Sequence, residues 1–159
     1  MTLDFYRAPG FLIRRLHQIS MSVFEQEMAA NGIELTQVQY AALRALEQCP
    51  DIDQMTLAGL IAYDRVTIGG VVDRLVAKGF VARSVNSADR RARRLAITQE
   101  GRKQTRKAAR IVKSLQRSIL AGLSAQERQT LLALLVKTTD AGNAQSRAPL
   151  RQTPSSEPT

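Results

Sequence analysis

Four arginines and an aspartate crowd the stretch SADRRARRLAIT, residues 87 to 98. Arg90, Arg91, Arg93 and Arg94 carry planar guanidinium forks, whose chemistry is to grip phosphate or carboxylate oxygens in pairs. They stand in front of the alternating run Leu95-Ala96-Ile97, which reads as a short strand, so the charge is gathered on a loop leading into it. Asp89 is of the right type to hold one fork in line, which reduces the rotamer entropy lost on contact.

Little else in the chain offers chemistry. His17 and Cys49 are the sole histidine and cysteine, so neither a disulfide nor a His/Cys metal cluster can form within one chain. No glycine-rich phosphate loop follows a strand, and no histidine stands ready to pair with a nucleophile. An enzyme is not expected, and neither a metal nor a cofactor is required. Cys49 precedes Pro50 at a helix end, where the dipole disfavours a thiolate, so a redox role is the weaker reading.

The net charge of +9 over 159 residues is regional. Residues 78 to 113 hold twelve of the 23 Lys/Arg but only two of the 14 Asp/Glu, leaving the remainder nearly neutral. A localised basic stripe is the electrostatic footprint of phosphate binding. No apolar run approaches the roughly 18 residues of a membrane span and no basic-then-apolar leader opens the chain, so a cytoplasmic protein without a membrane partner is expected.

The elements that must position these groups can be read from periodicity and caps. Pro9 to Asn31 reads as a long helix, with Leu12, Leu16, Ile19 and Val23 on one face. A second apolar strip, Ile13, Met21, Phe24 and Met28, runs beside it with His17 in its middle. Thr36 suits the cap of a helix to about Gln48, with Val38, Ala41, Ala42, Ala45 and Leu46 inward and Tyr40 pointing elsewhere. Asp53 then caps a short helix through Ile61, and Asp64 another that ends at Gly79. Two short helices joined by about three residues form a helix-turn-helix. Residues 80 to 85 and 94 to 98 read as a hairpin around the arginine loop.

From about Gln99 the helical period resumes, with Ala108, Ile111, Val112, Leu115, Ile119 and Gly122 on one side and six cations between Arg102 and Lys113 on the other. Ser124 and Glu127 form a capping box for a last helix rich in leucine, and the polar, proline-bearing end of the chain reads as disordered.

The fold expected is mainly α with a small β-hairpin wing: a winged helix-turn-helix on a helical dimerisation scaffold. Its parts are a dimerisation helix (1–34), the DNA-binding region (35–98), dimerisation helices (99–142) and a disordered tail (143–159). Within the second helix of the turn, Ile68, Val71, Val72, Leu75 and Val76 pack inward, leaving Val66, Thr67, Gly70, Asp73, Arg74 and Ala77 toward the outside, with Arg65 a further DNA-binding candidate at its start. Gly69 and Gly70 each cost about 1 kcal/mol against alanine inside a helix, so the pair implies a close approach, either to DNA backbone or to a neighbouring helix. Double-stranded DNA would take this helix in its major groove. A wing tip bearing Ser87, Asp89, Arg90, Arg91 and Arg93 would meet the flanking minor groove and phosphates.

The run DRVTIGGVVDRLVAKGFVARSVNSADRRARRLAITQEGR, residues 64 to 102, resembles the MarR family of bacterial transcriptional regulators, most specifically in D-R-R followed by L-x-I-T-x-x-G. The resemblance implies an obligate homodimer with interlocked first and last helices, and often a small phenolic or aromatic acid that weakens DNA binding. It makes Arg91 the minor-groove arginine and Asp89 its partner. The glycine pair stands where many members have polar or bulky residues, so base contacts do not transfer.

Dimerisation also follows from the apolar stripes at both chain ends, which exceed what one thin winged helix can bury. For an effector, Arg14, His17, Gln18, Met21 and Tyr40 are the candidate residues: a carboxylate would meet Arg14 or His17 while its ring packs on Met21. The opening YRAPGFLIRRLHQ is similar to members governing catabolism of aromatic or nicotinate-like acids. The function expected is a sequence-specific regulator, a repressor released from a palindromic operator by a small aromatic or heteroaromatic acid. The alternative is an architectural or redox-responsive DNA-binding protein without a small-molecule effector.

Overall fold

The computed structural model describes residues 3–85 and 93–152. Ser87, Asp89, Arg90 and Arg91 lie outside the described residues. A short 3-10 turn, Asp4–Arg7, leads into α1 (Pro9–Ala30). Then come α2 (Gln37–Gln48), β1 (Ile52–Asp53), α3 (Gln54–Leu60), α4 (Arg65–Ala77), β2 (Val81–Val85) and β3 (Arg93–Ile97). The long α5 (Gln99–Ile119) and α6 (Ala125–Gly142) follow. Among the described residues no single helix is long and apolar enough to cross a membrane.

Local capping chemistry sets the helix starts. Thr36 and Gln39 cap α2 reciprocally, Asp53 caps α3 through the Met55 and Thr56 N–H groups, and Ser124 and Glu127 form the predicted capping box of α6. Burial pushes the Asp53 carboxyl up, but hydrogen bonds from Thr56 and Met55 outweigh it and hold the group below its ordinary value.

The sheet has the antiparallel order β1-β3-β2, with Ile52 opposite Leu95 and Val81 opposite Ile97. Its first strand is absent from the sequence reading, because two residues carry no periodicity and β1 exists only through its distant partner β3. Thr98, read as the last residue of the second hairpin strand, instead caps α5. Its hydroxyl accepts from the Gly101 N–H at 3.0 Å and donates to the Gly79 carbonyl at 2.7 Å. A side chain at Gly101 would overlap the Phe80 carbonyl, which itself accepts from the Thr98 N–H. The I-T-x-x-G spacing is thus the joint between wing and α5.

One core runs through the chain. Leu43, Leu46, Leu57, Ile68, Val72, Leu75 and Leu95 are buried together with Phe24 and Met28 of α1 and Ala108 and Leu115 of α5. The core therefore continues across the boundaries expected at 34/35 and 98/99. On α2 the buried set is Gln39, Ala42, Leu43 and Leu46, and Val38, Ala41 and Ala45 are half-buried, so the inward face is rotated toward Leu43. Tyr40, expected to point elsewhere, is half-buried against Phe24, with ring centroids 6.2 Å apart.

The tail differs as well. Asn143 accepts the Leu150 N–H at 2.7 Å and donates to its carbonyl at 3.0 Å, and the Arg151 N–H reaches the Gly59 carbonyl of α3 at 2.9 Å. Asn143, Leu150 and Arg151 are held by these bonds, of which the one to Gly59 is long-range and not revealed by composition; the rest of the expected tail, 153–159, lies outside the described residues.

Candidate nucleic-acid interface and ligand cavity

The outer face of α4 starts at its cap. Asp64 accepts from the Val66 N–H at 3.1 Å, the Thr67 N–H at 2.9 Å and the Thr67 hydroxyl at 2.8 Å. Led by the Thr67 hydroxyl, these bonds hold the Asp64 carboxyl below its ordinary value. Beyond the cap, Arg65, Val66, Thr67, Gly70 and Arg74 are exposed, and Val66, at 92% exposure, has almost no neighbour. An isolated, fully exposed valine at a helix start has no packing role, and a thymine methyl is the kind of surface it would match.

Internal packing does not account for the glycine pair. A Cβ on Gly70 would meet nothing within 4 Å, and one on Gly69 only the Gln54 side-chain amide at 3.4 Å. The reading in which these glycines serve a tight contact inside the domain therefore lacks its contact. Gly70 faces outward, and Gly69 is half-buried beside Gln54 of α3.

The wing strands are tied to α4. Arg83 of β2 donates to Asp73 of α4 at 2.6 Å, a pair absent from the sequence reading because its partners are joined only by the turn of the chain after Gly79. Arg93, at the start of β3, is exposed. Arg94, also exposed, donates to the Asp51 carbonyl at 3.2 Å and so braces β1.

A cavity of about 490 Å³ lies where α1, α2, α5 and α6 meet. Its polar groups are His17 and Ser20 of α1, Gln37 and Tyr40 of α2, and Gln116 of α5, set among walls that include Phe24, Leu115 and Leu135. Gln37 donates to the Ser20 hydroxyl at 2.9 Å and to its carbonyl at 3.1 Å, clamping α2 to α1 at the rim. Burial pushes the Tyr40 phenol up, against the pull of Arg44, and Glu47 adds to the rise. The phenol is thus a neutral hydrogen-bond donor at physiological pH.

Arg14, Gln18 and Met21 do not line this cavity. The cavity takes the face of α1 carrying Ile13, Leu16, His17, Ser20 and Phe24, whereas Arg14 donates to Gln18 at 2.9 Å along the exposed side and stacks over Phe11 at 5.1 Å. The helical phase of α1 thus brings His17 and Tyr40 together at this cavity and leaves Arg14, Gln18 and Met21 away from it.

Comparison with known proteins bears on both features. The family model for MarR matches residues 35–92. A probable transcriptional regulator from Pseudomonas aeruginosa is 32% identical, over 85% of this chain and 99% of its own, with a TM-score of 0.80. The chain belongs to the MarR family. The MarR-family regulator PcaV from Streptomyces coelicolor, solved in complex with its natural ligand, is 31% identical over 89% of this chain and 99% of its own, with a TM-score of 0.79. BpsR of Bordetella bronchiseptica, whose DNA binding is regulated by 6-hydroxynicotinic acid, is 28% identical over 88% and 99%, with a TM-score of 0.80. MarR proteins are DNA-binding transcriptional regulators rather than enzymes, and this chain is one of them.

For a MarR protein, the sequence reading overlooked Ser20, Gln37 and Gln116 at the cavity. Serine and glutamine carry no recognisable spacing, and their meeting depends on where α5 lands against α1. Cys49 is half-buried at the C-terminal end of α2, as its place before Pro50 implies.

Proposed function

We propose that the protein is a dimeric repressor that binds a palindromic operator in the cytoplasm and is released from it by a small aromatic or heteroaromatic acid. The observation that carries this reading is the cavity itself. It is apolar enough to hold a ring, bears Tyr40 and His17 to meet a carboxylate, and touches both the scaffold helices and α2 of the DNA-binding region. The ligand-bound PcaV and the regulation of BpsR by 6-hydroxynicotinic acid support the ligand class.

The dimer is supported by α6, an 18-residue helix without one buried residue in the single chain. Leu132, Leu134 and Val136 are at least half exposed, as is Ile13 of α1, with Phe5 and Leu12 close behind. Apolar surface on this scale is what a second copy would cover. In such a dimer each α4 would enter the major groove, with Arg65, Val66, Thr67, Gly69, Gly70 and Arg74 toward DNA, and half-sites about one helical turn apart. Ser87, Asp89, Arg90, Arg91 and Arg93 would serve the flanking minor groove.

The test is binding to DNA upstream of the protein's own and neighbouring genes, with and without aromatic and heteroaromatic acids. Operator preference of at least about 10³ over random duplex, abolished by one such acid, is expected of this regulator. Binding without sequence preference would favour the architectural alternative.

A further inference from the structure

The tail brings two arginines to a place the winged helix does not fill by itself. A cavity of about 370 Å³ opens between α3, the start of α4 and residues 147–151. Arg65 of α4 and Arg147 and Arg151 of the tail line it together, over a floor that includes Met55 and Tyr63. Among the described residues none of the three arginines is in an ion pair. Asp64, the one carboxylate on the lining, is engaged by Val66 and Thr67. Three guanidinium forks against the single Asp64 carboxylate leave the lining net positive, and an anion entering the cleft would relieve the remaining repulsion between the forks.

The docking is specific. The Arg151 N–H bonds the Gly59 carbonyl at 2.9 Å, and a Cβ on Gly59 would come within 3.1 Å of the Arg151 Cβ. Glycine inside a helix costs about 1 kcal/mol against alanine, and this one leaves room for the arginine stem. Arg65 immediately precedes Val66 and Thr67, so an anion in this cleft would sit beside whatever the outer face of α4 touches.

We propose that Arg147 and Arg151, with Arg65, form a backbone clamp for DNA, neutralising phosphates beside each major-groove half-site through a segment outside the winged helix. The clamp rests on the DNA-binding reading of α4. Phosphodiester oxygens are planar-fork acceptors of the kind arginine takes in pairs, and the clamp carries no base-reading group, so its contribution is the same on any sequence.

The experiment is the salt dependence of duplex binding, on operator and on random duplex, for the wild type and for Arg147→Gln/Arg151→Gln, which removes two charges and keeps hydrogen-bonding stems. Each lost phosphate contact lowers the slope of log K against log salt by about 0.9, so a fall approaching 2 is expected on both duplexes, with operator preference intact. Arg147→Lys/Arg151→Lys should restore most of the slope, which a purely structural role of the guanidiniums would not allow. An unchanged slope in the glutamine variant with wild-type thermal stability overturns the clamp, as does a loss confined to the operator. A wild type that binds random duplex but prefers no operator leaves the clamp measurable and instead removes the repressor reading.

Discussion

Thr67 donates its hydroxyl proton to the Asp64 carboxylate, 2.8 Å from one oxygen and 2.7 Å from the other. A hydroxyl whose proton is committed inward offers only lone pairs outward. At a base edge in the major groove it therefore accepts, and its partners are the exocyclic amines of adenine or cytosine. Thr67→Val should cost about 1 to 3 kcal/mol at one adenine- or cytosine-bearing position and leave the salt slope unchanged, while Thr67→Ser retains the preference. Binding to a panel of single-base operator variants reads this directly. An identical profile for the valine variant would mean that Thr67 caps the helix and reads nothing.

The same bonds set the acid response. Asp53 and Asp64 both titrate below their ordinary values in the folded chain. A depressed folded value stabilises fully above the unfolded value, and that stability is lost as pH falls through the folded one. Stability should therefore decline below about pH 4, and Asp53→Asn/Asp64→Asn should flatten the decline because asparagine caps without titrating. Urea unfolding across that range checks it. Parallel curves for variant and wild type would be the contrary result.

Gly101 is the least replaceable glycine described. Gly101→Ala would drive a methyl group into the Phe80 carbonyl and disturb its bond to the Thr98 N–H. A loss of about 1 to 3 kcal/mol in chemical denaturation is expected, whereas Gly70→Ala, with open space around it, should be neutral or stabilising by up to about 1 kcal/mol. If Gly70→Ala nevertheless weakens operator binding, the close approach required there is to DNA.

Release by an acid is expected to depend on His17 and Tyr40. His17→Ala and Tyr40→Phe should keep operator affinity without ligand yet lose the acid's effect. A tenfold release corresponds to about 1.4 kcal/mol of coupling, which one charge-assisted hydrogen bond made in a single state supplies. Titrating operator complexes with an active acid decides the matter: release of both variants at the wild-type concentration puts the effector elsewhere.

Leu134→Glu on α6 should split the dimer. Leu134 is 56% exposed in the single chain, so the change costs the protomer little, while a carboxylate buried between copies would be costly. Sedimentation of the variant is expected to report a folded monomer, and an unaltered dimer would move the interface away from α6.

What the sequence revealed depended on range. The caps at Thr36, Asp53, Asp64 and Ser124 are legible because a hydroxyl or carboxylate and the N–H groups it serves lie within three residues of one another. The apolar face of α4 is legible for the same reason. Strand β1, the Asp73–Arg83 pair and the docking of Arg151 on Gly59 are not, because each joins groups whose neighbourhood is set only after the helices have packed. At the cavity, His17 stood out as a polar group inside an apolar strip, but choosing its companions required the phase of α1 against α5, and a shift of one residue exchanges Arg14 for Ile13.

The continuous core has a mechanical consequence. Phe24 and Met28 of α1 and Ala108 and Leu115 of α5 share one buried cluster with the core of the DNA-binding elements, reached through α2, so swinging α2 about its own scaffold would open voids in close-packed interior. The protomer behaves as a lever whose pivot lies outside it. If the protomer moves as one piece, a molecule that alters the distance between two recognition helices would act by rocking whole subunits at the seam between copies.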